Sequence, residues 1–209
     1  KRVSRAAASE RSMRFLTVAT TANAHLGRLL KSAEHHRVPL EVIGLGHAYT
    51  SHRTKIDLVL EYLAGLDPEQ PLLFVDGYDT VFLTGPQEME AKFAAFGAEI
   101  VFSAEQNLLV SEGGWSRLRI WWHYPETRRP YRFANSGTYA GLAGRLAALW
   151  RAQDLDRIEQ QNCDQSAINR HYRSHPDALV LDVHQELFAV TAGRTGLEAE
   201  DYEVRDGRL

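Results

Sequence analysis

The chain has 209 residues, of which 44% are hydrophobic, and its formal net charge is −3. This length suits one domain with a large core, and the charge gives no bulk attraction to nucleic acid or to anionic membranes. No apolar run approaches the roughly 20 residues that cross a bilayer, and the basic first residues lack a signal sequence. The lone Cys163 excludes an internal disulfide framework. We therefore expect a single cytoplasmic domain over 1–209, with an ordered core at about 14–190.

The first half of the chain alternates short apolar runs with helical patterns. Strands are predicted at 14–20, 40–45, 72–75 and 99–102, and helices at 25–36, 54–63 and 87–96. This β-α-β-α-β-α-β order predicts an α/β fold in which helices cover both faces of a mostly parallel sheet.

The second half is less regular. Residues 108–132 are rich in Gly, Trp and Arg, and we interpret them as a long irregular surface segment of the kind that is often functional. Further strands are predicted at 131–140 and 178–183, and helices at 142–151 and 164–173. From Ala192 onward the tail is polar and shows no core pattern.

Two carboxylates, Asp76 and Asp79, directly follow the apolar strand at 72–75. Open α/β sheets bind ligands at this edge, and paired oxygen ligands can hold Mg²⁺ or Mn²⁺ against a diphosphate. The alternative is an ordinary turn at the strand end, because Asp and Gly are common turn residues.

A metal-dependent phosphatase of the haloacid dehalogenase type is a second alternative. Such enzymes carry D-x-D-x-T at a strand end, whereas Asp76 to Thr80 reads D-x-x-D-T. The extra residue changes the direction of the second carboxylate in extended backbone, so the spacing argues against this class.

Other polar groups follow the predicted strands or begin helices. Lys55 begins a helix where a cation could reach a diphosphate, although a solvated lysine is the common alternative. Asp164 begins another helix and is also a plausible N-cap. The remaining candidates are Thr17, Val18 and Thr20 at the first strand end, Glu105 after the fourth strand, the turn Asn135-Ser136-Gly137, and Gln165.

Taken in order, these segments resemble one family, the glycosyltransferase domain of procollagen lysyl hydroxylases and their bacterial and viral homologues. The resemblance runs from about Phe15 to Phe188. It rests on T-V-A-T, G-L-G with Tyr49, Lys55, F-V-D-G-Y-D, G-P-Q-E, F-S-A-E, N-S-G, D-Q and L-D-V-H-Q-E-L-F. It implies a GT-A fold that binds a UDP-sugar and Mn²⁺, with Mg²⁺ as the alternative metal.

The resemblance also implies residue roles. Asp76 and Asp79 would bind the metal, and Tyr78 would lie beside the nucleotide. The uridine and phosphates would contact Thr17, Val18, Thr20, Tyr49 and Lys55, with Tyr49 standing where the family has a tryptophan. Asn135, Ser136 and Gly137 would line the sugar side, and Asp164, Glu105 and Gln165 would be catalytic.

The chain departs from the family pattern in two places. Cys163 stands where the family has an acidic residue before the Asp-Gln pair. The family also supplies a third metal ligand, a histidine in an H-G-N-G segment, and nothing in 191–209 matches it. Water or another residue would then complete the metal site, or the histidine lies beyond this chain.

The function that the sequence predicts is a Mn²⁺-dependent transfer of glucose or galactose from a UDP-sugar to an acceptor hydroxyl. The acceptor would be a hydroxylated, collagen-like peptide or a glycan, with no nucleic acid and no membrane span involved. The alternatives are a UDP-sugar-binding domain with impaired catalysis and, disfavoured by the spacing, the phosphatase.

Overall fold

The computed structural model describes residues 11–111, 113–125 and 129–191. Six strands form one sheet: β1 Arg14–Val18, β2 Leu40–Ile43, β3 Pro71–Val75, β4 Ile100–Glu105, β5 Phe133–Leu142 and β6 Val180–Asp182. The helices are α1 Ala24–His35, α2 His52–Ala64, α3 Pro86–Phe96, α4 Gly114–Trp122, α5 Ala143–Arg151, α6 Leu155–Gln161 and α7 Asp164–Ser174. Within the described ranges, no helix is long and apolar enough to cross a membrane.

The strand order is β2-β1-β3-β5-β4-β6, and β5 alone in this sheet runs antiparallel to its neighbours. The other pairs, β1 with β2, β1 with β3 and β4 with β6, are parallel. The predicted α/β class with a mostly parallel sheet is therefore confirmed. Since β5 is reversed, its first residues lie at the same edge as the last residues of β3 and β4.

Alternate residues of β3 pack into two cores on opposite faces of the sheet, as the pleat of a strand requires. Phe74 faces a core shared with Ile56 of α2 and Trp150 of α5. Val75 faces the other core, which contains Leu29 of α1 and Phe93 of α3. Helices therefore cover both faces and leave the strand ends as the accessible edge.

The structure corrects the prediction for 108–132, which contains α4 instead of continuous irregular backbone. Its helical pattern is hard to recognise because Ile120 is buried while the neighbouring tryptophans are exposed. The short helix α6 was also absent from the prediction. The last strand is only Val180–Asp182, after a 3₁₀ turn at Pro176–Ala178. The predicted polar tail from Ala192 lies outside the described residues.

Candidate functional site at the carboxyl edge of the sheet

The predicted metal motif begins one residue after β3 and packs closely against β1. A side chain at Gly77 would place its Cβ 2.7 Å from the Val18 carbonyl oxygen, so this position needs glycine. The Thr80 hydroxyl donates a hydrogen bond to the Asp76 carbonyl oxygen. The turn therefore fixes where the Asp76 carboxylate emerges from the sheet.

A bulge in β5 lies beside Asp76. Phe102 pairs with Tyr139 but Ser103 pairs with Asn135, so residues 136–138 have no partner in the β4 ladder. The Asp76 amide donates to the Gly137 carbonyl oxygen at 2.8 Å. A Cβ on Gly137 would lie 3.0 Å from Asp76 Oδ2 and 2.9 Å from Asn135 Oδ1. The Asn135-Ser136-Gly137 turn thus brings the backbone of Gly137, which has no side chain, against the Asp76 carboxylate.

Lys55 is the centre of the site. Its Nζ atom lies 2.6 Å from Asp164 Oδ2 and 3.2 Å from Asp76 Oδ1. The Lys55 and Asp164 side chains are 8% and 4% exposed, whereas that of Asp76 is 31% exposed. The structure therefore excludes a solvated Lys55 and joins α2, the end of β3 and α7 through one ammonium group.

The charges of this cluster shift two pKa values. Burial, assisted by the carboxylates of Asp164 and Asp79, raises the pKa of Asp76 to about 6, although Lys55 acts to lower it. Burial on its own would lower the pKa of Lys55, but Asp164 and Asp76 outweigh it and raise that pKa. Lys55 therefore stays charged, and the carboxylates around it carry an excess of negative charge.

The first turn of α7 carries Asp164 and Gln165. Cys163 occupies the N-cap position and Asp164 is the first helical residue, so the N-cap alternative for Asp164 is wrong. The Gln165 amide Nε2 donates to Glu105 Oε1, and its Oε1 accepts from the Ser136 amide at 3.4 Å. Burial raises the pKa of Glu105, against hydrogen bonds that lower it. Gln165 therefore links the end of β4 to the β5 bulge.

The tyrosines lie on the first-strand side of the cluster. The Tyr78 hydroxyl accepts hydrogen bonds from the Thr20 and Thr21 amides, each at 3.0 Å, so it fixes the loop after β1. Tyr49 is 45% exposed, and burial raises its pKa although nearby Lys55 acts to lower it. Thr17 and Val18 are buried in β1.

The predicted metal ligands differ in exposure, since Asp79 is exposed and Asp76 is partly buried. Over the described part of the chain, no three or more His, Cys, Asp or Glu side chains are grouped to hold a metal ion. Two carboxylates beside a site rich in negative charge suit a divalent cation whose remaining ligands are diphosphate oxygens and water.

One buried polar pair was missed in the sequence. Tyr124 and Asn169 hydrogen-bond to each other at 2.6 Å behind the first turn of α7. Asn169 lies four residues after Gln165, so in a helix both side chains lie on one face. This spacing is a weak sequence signal that Asn169 is buried near Gln165. Nothing in the sequence around Tyr124 indicates its partner.

The sheet and the polar cluster at its carboxyl edge define an α/β protein with a candidate ligand site at the strand ends. The family model for the PLOD GT domain matches residues 9–199, so this chain belongs to that family of glycosyltransferase domains.

Curated relatives are about 30% identical to the chain over the aligned residues. Procollagen-lysine,2-oxoglutarate 5-dioxygenase 1 of Mus musculus is 31% identical, with 70% of this chain and 21% of the mouse protein covered. Procollagen-lysine,2-oxoglutarate 5-dioxygenase of Drosophila melanogaster is 30% identical, with 84% of this chain and 25% of the fly protein covered. The chain therefore spans 21–25% of the length of these relatives.

One solved structure shows a much lower sequence identity. The 4-diphosphocytidyl-2C-methyl-D-erythritol synthase from Anaerococcus prevotii superposes with a TM-score of 0.49 at 11% identity, with 91% of this chain and 94% of that chain covered. A likeness this weak carries no functional argument.

Proposed function

We propose that this chain is a Mn²⁺-dependent glycosyltransferase that moves glucose or galactose from a UDP-sugar to an acceptor hydroxyl. The observation that carries the proposal is the buried Lys55 ammonium, held between Asp76 and Asp164 at the carboxyl edge of the sheet. A cation and two carboxylates at this edge suit a metal-bound diphosphate. Membership of the PLOD GT domain family supports the same chemistry.

Asp76 and Asp79 would hold Mn²⁺, or Mg²⁺ in its place. The support is electrostatic, since Asp79 and Asp164 both raise the pKa of Asp76 and a divalent cation would relieve this repulsion. With two protein carboxylates, the metal would take its other ligands from the diphosphate and water, so it should bind better with UDP present than alone.

The donor nucleotide would lie along the loop after β1. The exposed ring of Tyr49 offers a flat surface to the uracil, and Tyr78 shapes the backbone at Thr20. Thr17 and Val18 would form the floor of this part of the site. Lys55 would face the diphosphate, and the Asn135-Ser136-Gly137 bulge would line the hexose.

In the transfer step, the leaving UDP develops negative charge. The metal, when bound, supplies charge neutralisation, and Lys55 adds a second cation that is already in place. Asp164 is fixed by its ion pair with Lys55, and Gln165 by Glu105 and the Ser136 amide. These three side chains, Asp164, Gln165 and Glu105, would orient the hexose and the acceptor hydroxyl.

The acceptor is proposed from the relatives alone. Two of them are named for acting on procollagen lysine. A hydroxylated, collagen-like peptide is therefore the first acceptor to test, with a glycan as the second.

A screen of nucleotide sugars tests the proposal. UDP-glucose, UDP-galactose and ADP-glucose are each incubated with Mn²⁺ or with a chelator, and release of the nucleoside diphosphate is measured with and without acceptor. We expect UDP release with one UDP-hexose, faster with acceptor, and none with the chelator. Release that is equal in the chelator arm would contradict metal-dependent transfer.

A UDP-sugar-binding domain without turnover is the second candidate. It is favoured by Cys163, at the N-cap of α7 next to Asp164, where the resembling family has an acidic residue. Calorimetric binding of UDP-glucose with Mn²⁺, but no UDP release in the screen, would identify it. Phosphate release from p-nitrophenyl phosphate would identify the phosphatase instead.

A further inference from the structure

The hydroxyl of Tyr124 closes a buried ring of hydrogen bonds between β5 and α7. It donates to Asn169 Oδ1 at 2.6 Å and accepts from the Ala134 amide at 2.9 Å. Asn169 Nδ2 donates to the carbonyl oxygens of Ala134 and Gln165, both at 2.9 Å. Tyr124 is 2% exposed and Asn169 is fully buried, so water does not substitute for these bonds.

The ring joins the two elements that carry the polar cluster. Ala134 directly precedes Asn135, where the β5 bulge beside Asp76 begins. Gln165 lies in the first turn of α7, directly after Asp164. The distance between the bulge and the Asp164 carboxylate is therefore set in part by the ring.

We propose that Tyr124 and Asn169 are positioning residues that hold the first turn of α7, and with it Asp164 and Gln165, against β5. The kinetic consequence of this inference rests on the proposed glycosyltransferase function. Neither side chain is placed to touch the donor, since both are buried behind the turn. They act through Gln165 and Asp164.

Two further observations support the inference. Burial raises the pKa of Tyr124, so its hydroxyl keeps the proton that it donates to Asn169. The Gln165 contact to the Ser136 amide is long, at 3.4 Å, so a small shift of α7 away from β5 would break it. The position of the first turn of α7 therefore depends on the Tyr124–Asn169 hydrogen bonds as well as on the hydrogen bonds of Gln165 within the site.

The test removes one hydroxyl at a time. Tyr124→Phe deletes two bonds of the ring, and Tyr62→Phe is the matched control because its hydroxyl donates to Glu41 at 2.7 Å between α2 and the start of β2. Amide hydrogen exchange is followed over residues 165–170, and kcat and KM for the UDP-hexose are measured in both variants. Tyr124→Phe is also combined with Gln165→Ala.

We expect Tyr124→Phe to speed exchange in the first turns of α7 by about tenfold, with no change there in Tyr62→Phe. It should lower kcat by about tenfold to a hundredfold and leave KM within about twofold. The loss of kcat caused by Tyr124→Phe should be much smaller when Gln165 is already replaced by alanine, because Tyr124 is proposed to act through Gln165.

Unchanged exchange in Tyr124→Phe would overturn the inference, as would full additivity with Gln165→Ala. The exchange measurement does not require turnover. If the wild-type chain shows no transfer, the proposed function fails and the exchange result alone decides whether Tyr124 positions α7.

Discussion

Helices α4 and α7 lie at the same edge of the sheet but are packed in opposite ways. In α7, residues 164–169 are all buried although most of them are polar. In α4, Trp115 and Trp122 are 85% and 70% exposed although they are apolar, and Ile120 is buried. Burial at this edge thus follows hydrogen-bond and ionic partners more closely than side-chain polarity. The predictions below test that contrast.

The largest effect is expected for Lys55→Met. It removes the ammonium from Asp164, which is only 4% exposed, and leaves a buried carboxylate without a counter-charge. We expect the free energy of unfolding in urea to fall by about 3–5 kcal/mol. Lys92→Met is the control, because Lys92 pairs with Glu88 at the surface, and it should cost less than about 1 kcal/mol. Equal losses would show that the Lys55 pair is not buried in solution.

Asp79→Ala should affect the ligand without affecting the fold. Asp79 is exposed, so its loss should leave thermal stability unchanged while weakening Mn²⁺-dependent binding of UDP-glucose by at least about a hundredfold. Calorimetry of the variant beside Glu99→Ala, an exposed carboxylate paired with Arg145, measures this. Unchanged affinity in Asp79→Ala would remove Asp79 from the metal site.

The pH dependence should follow Asp76. Its pKa of about 6 lies above the ordinary 3.8, so the folded chain holds this proton more tightly than the unfolded chain. The contribution of Asp76 to stability therefore decreases as the pH rises from about 4 to about 6. Under the proposed function, binding of Mn²⁺ and UDP-glucose would need the ionised form of Asp76.

Affinity for UDP-glucose with Mn²⁺ should therefore rise about fivefold from pH 5 to pH 6 and level off above pH 6. Calorimetry between pH 5 and 7 measures the slope, and Asp76→Asn should abolish it. A flat profile would mean that Asp76 is already ionised throughout this range.

The smallest effect is expected on α4. Trp122→Ser should change the free energy of unfolding by less than about 0.5 kcal/mol, because the indole is 70% exposed. Trp115→Ser should behave alike. A loss above about 1 kcal/mol in either variant would show that this face of α4 packs against something in solution.

The contrast also explains what the sequence could predict. The order of strands and helices was predicted because their apolar residues repeat with the period of each element. Lys55, Asp76 and Asp164 were placed at one edge because ligand sites of open sheets lie at strand ends, and the structure brings these three together.

Other features of the fold and of the site could not be predicted from the sequence. The helix α4 was missed because only Ile120 among its apolar side chains is buried, whereas its tryptophans and Leu118 are exposed. The reversed direction of β5 was missed because a period of two is the same in either direction. The Tyr124–Asn169 bond joins residues 45 positions apart, and single side chains at that separation carry no local signal.

The antiparallel pairing of β4 with β5 makes residues 106–132 the connection of a long hairpin, with both ends fixed by neighbouring strands. Lengthening such a connection costs little, since the entropy of closing a loop grows only with the logarithm of its length. The chain can therefore lengthen this connection at its exposed positions without rebuilding its scaffold, provided that the buried Ile120 and Tyr124 keep their contacts. Under the proposed function, an extension of this connection would change acceptor preference while the residues proposed to bind the donor stay as they are.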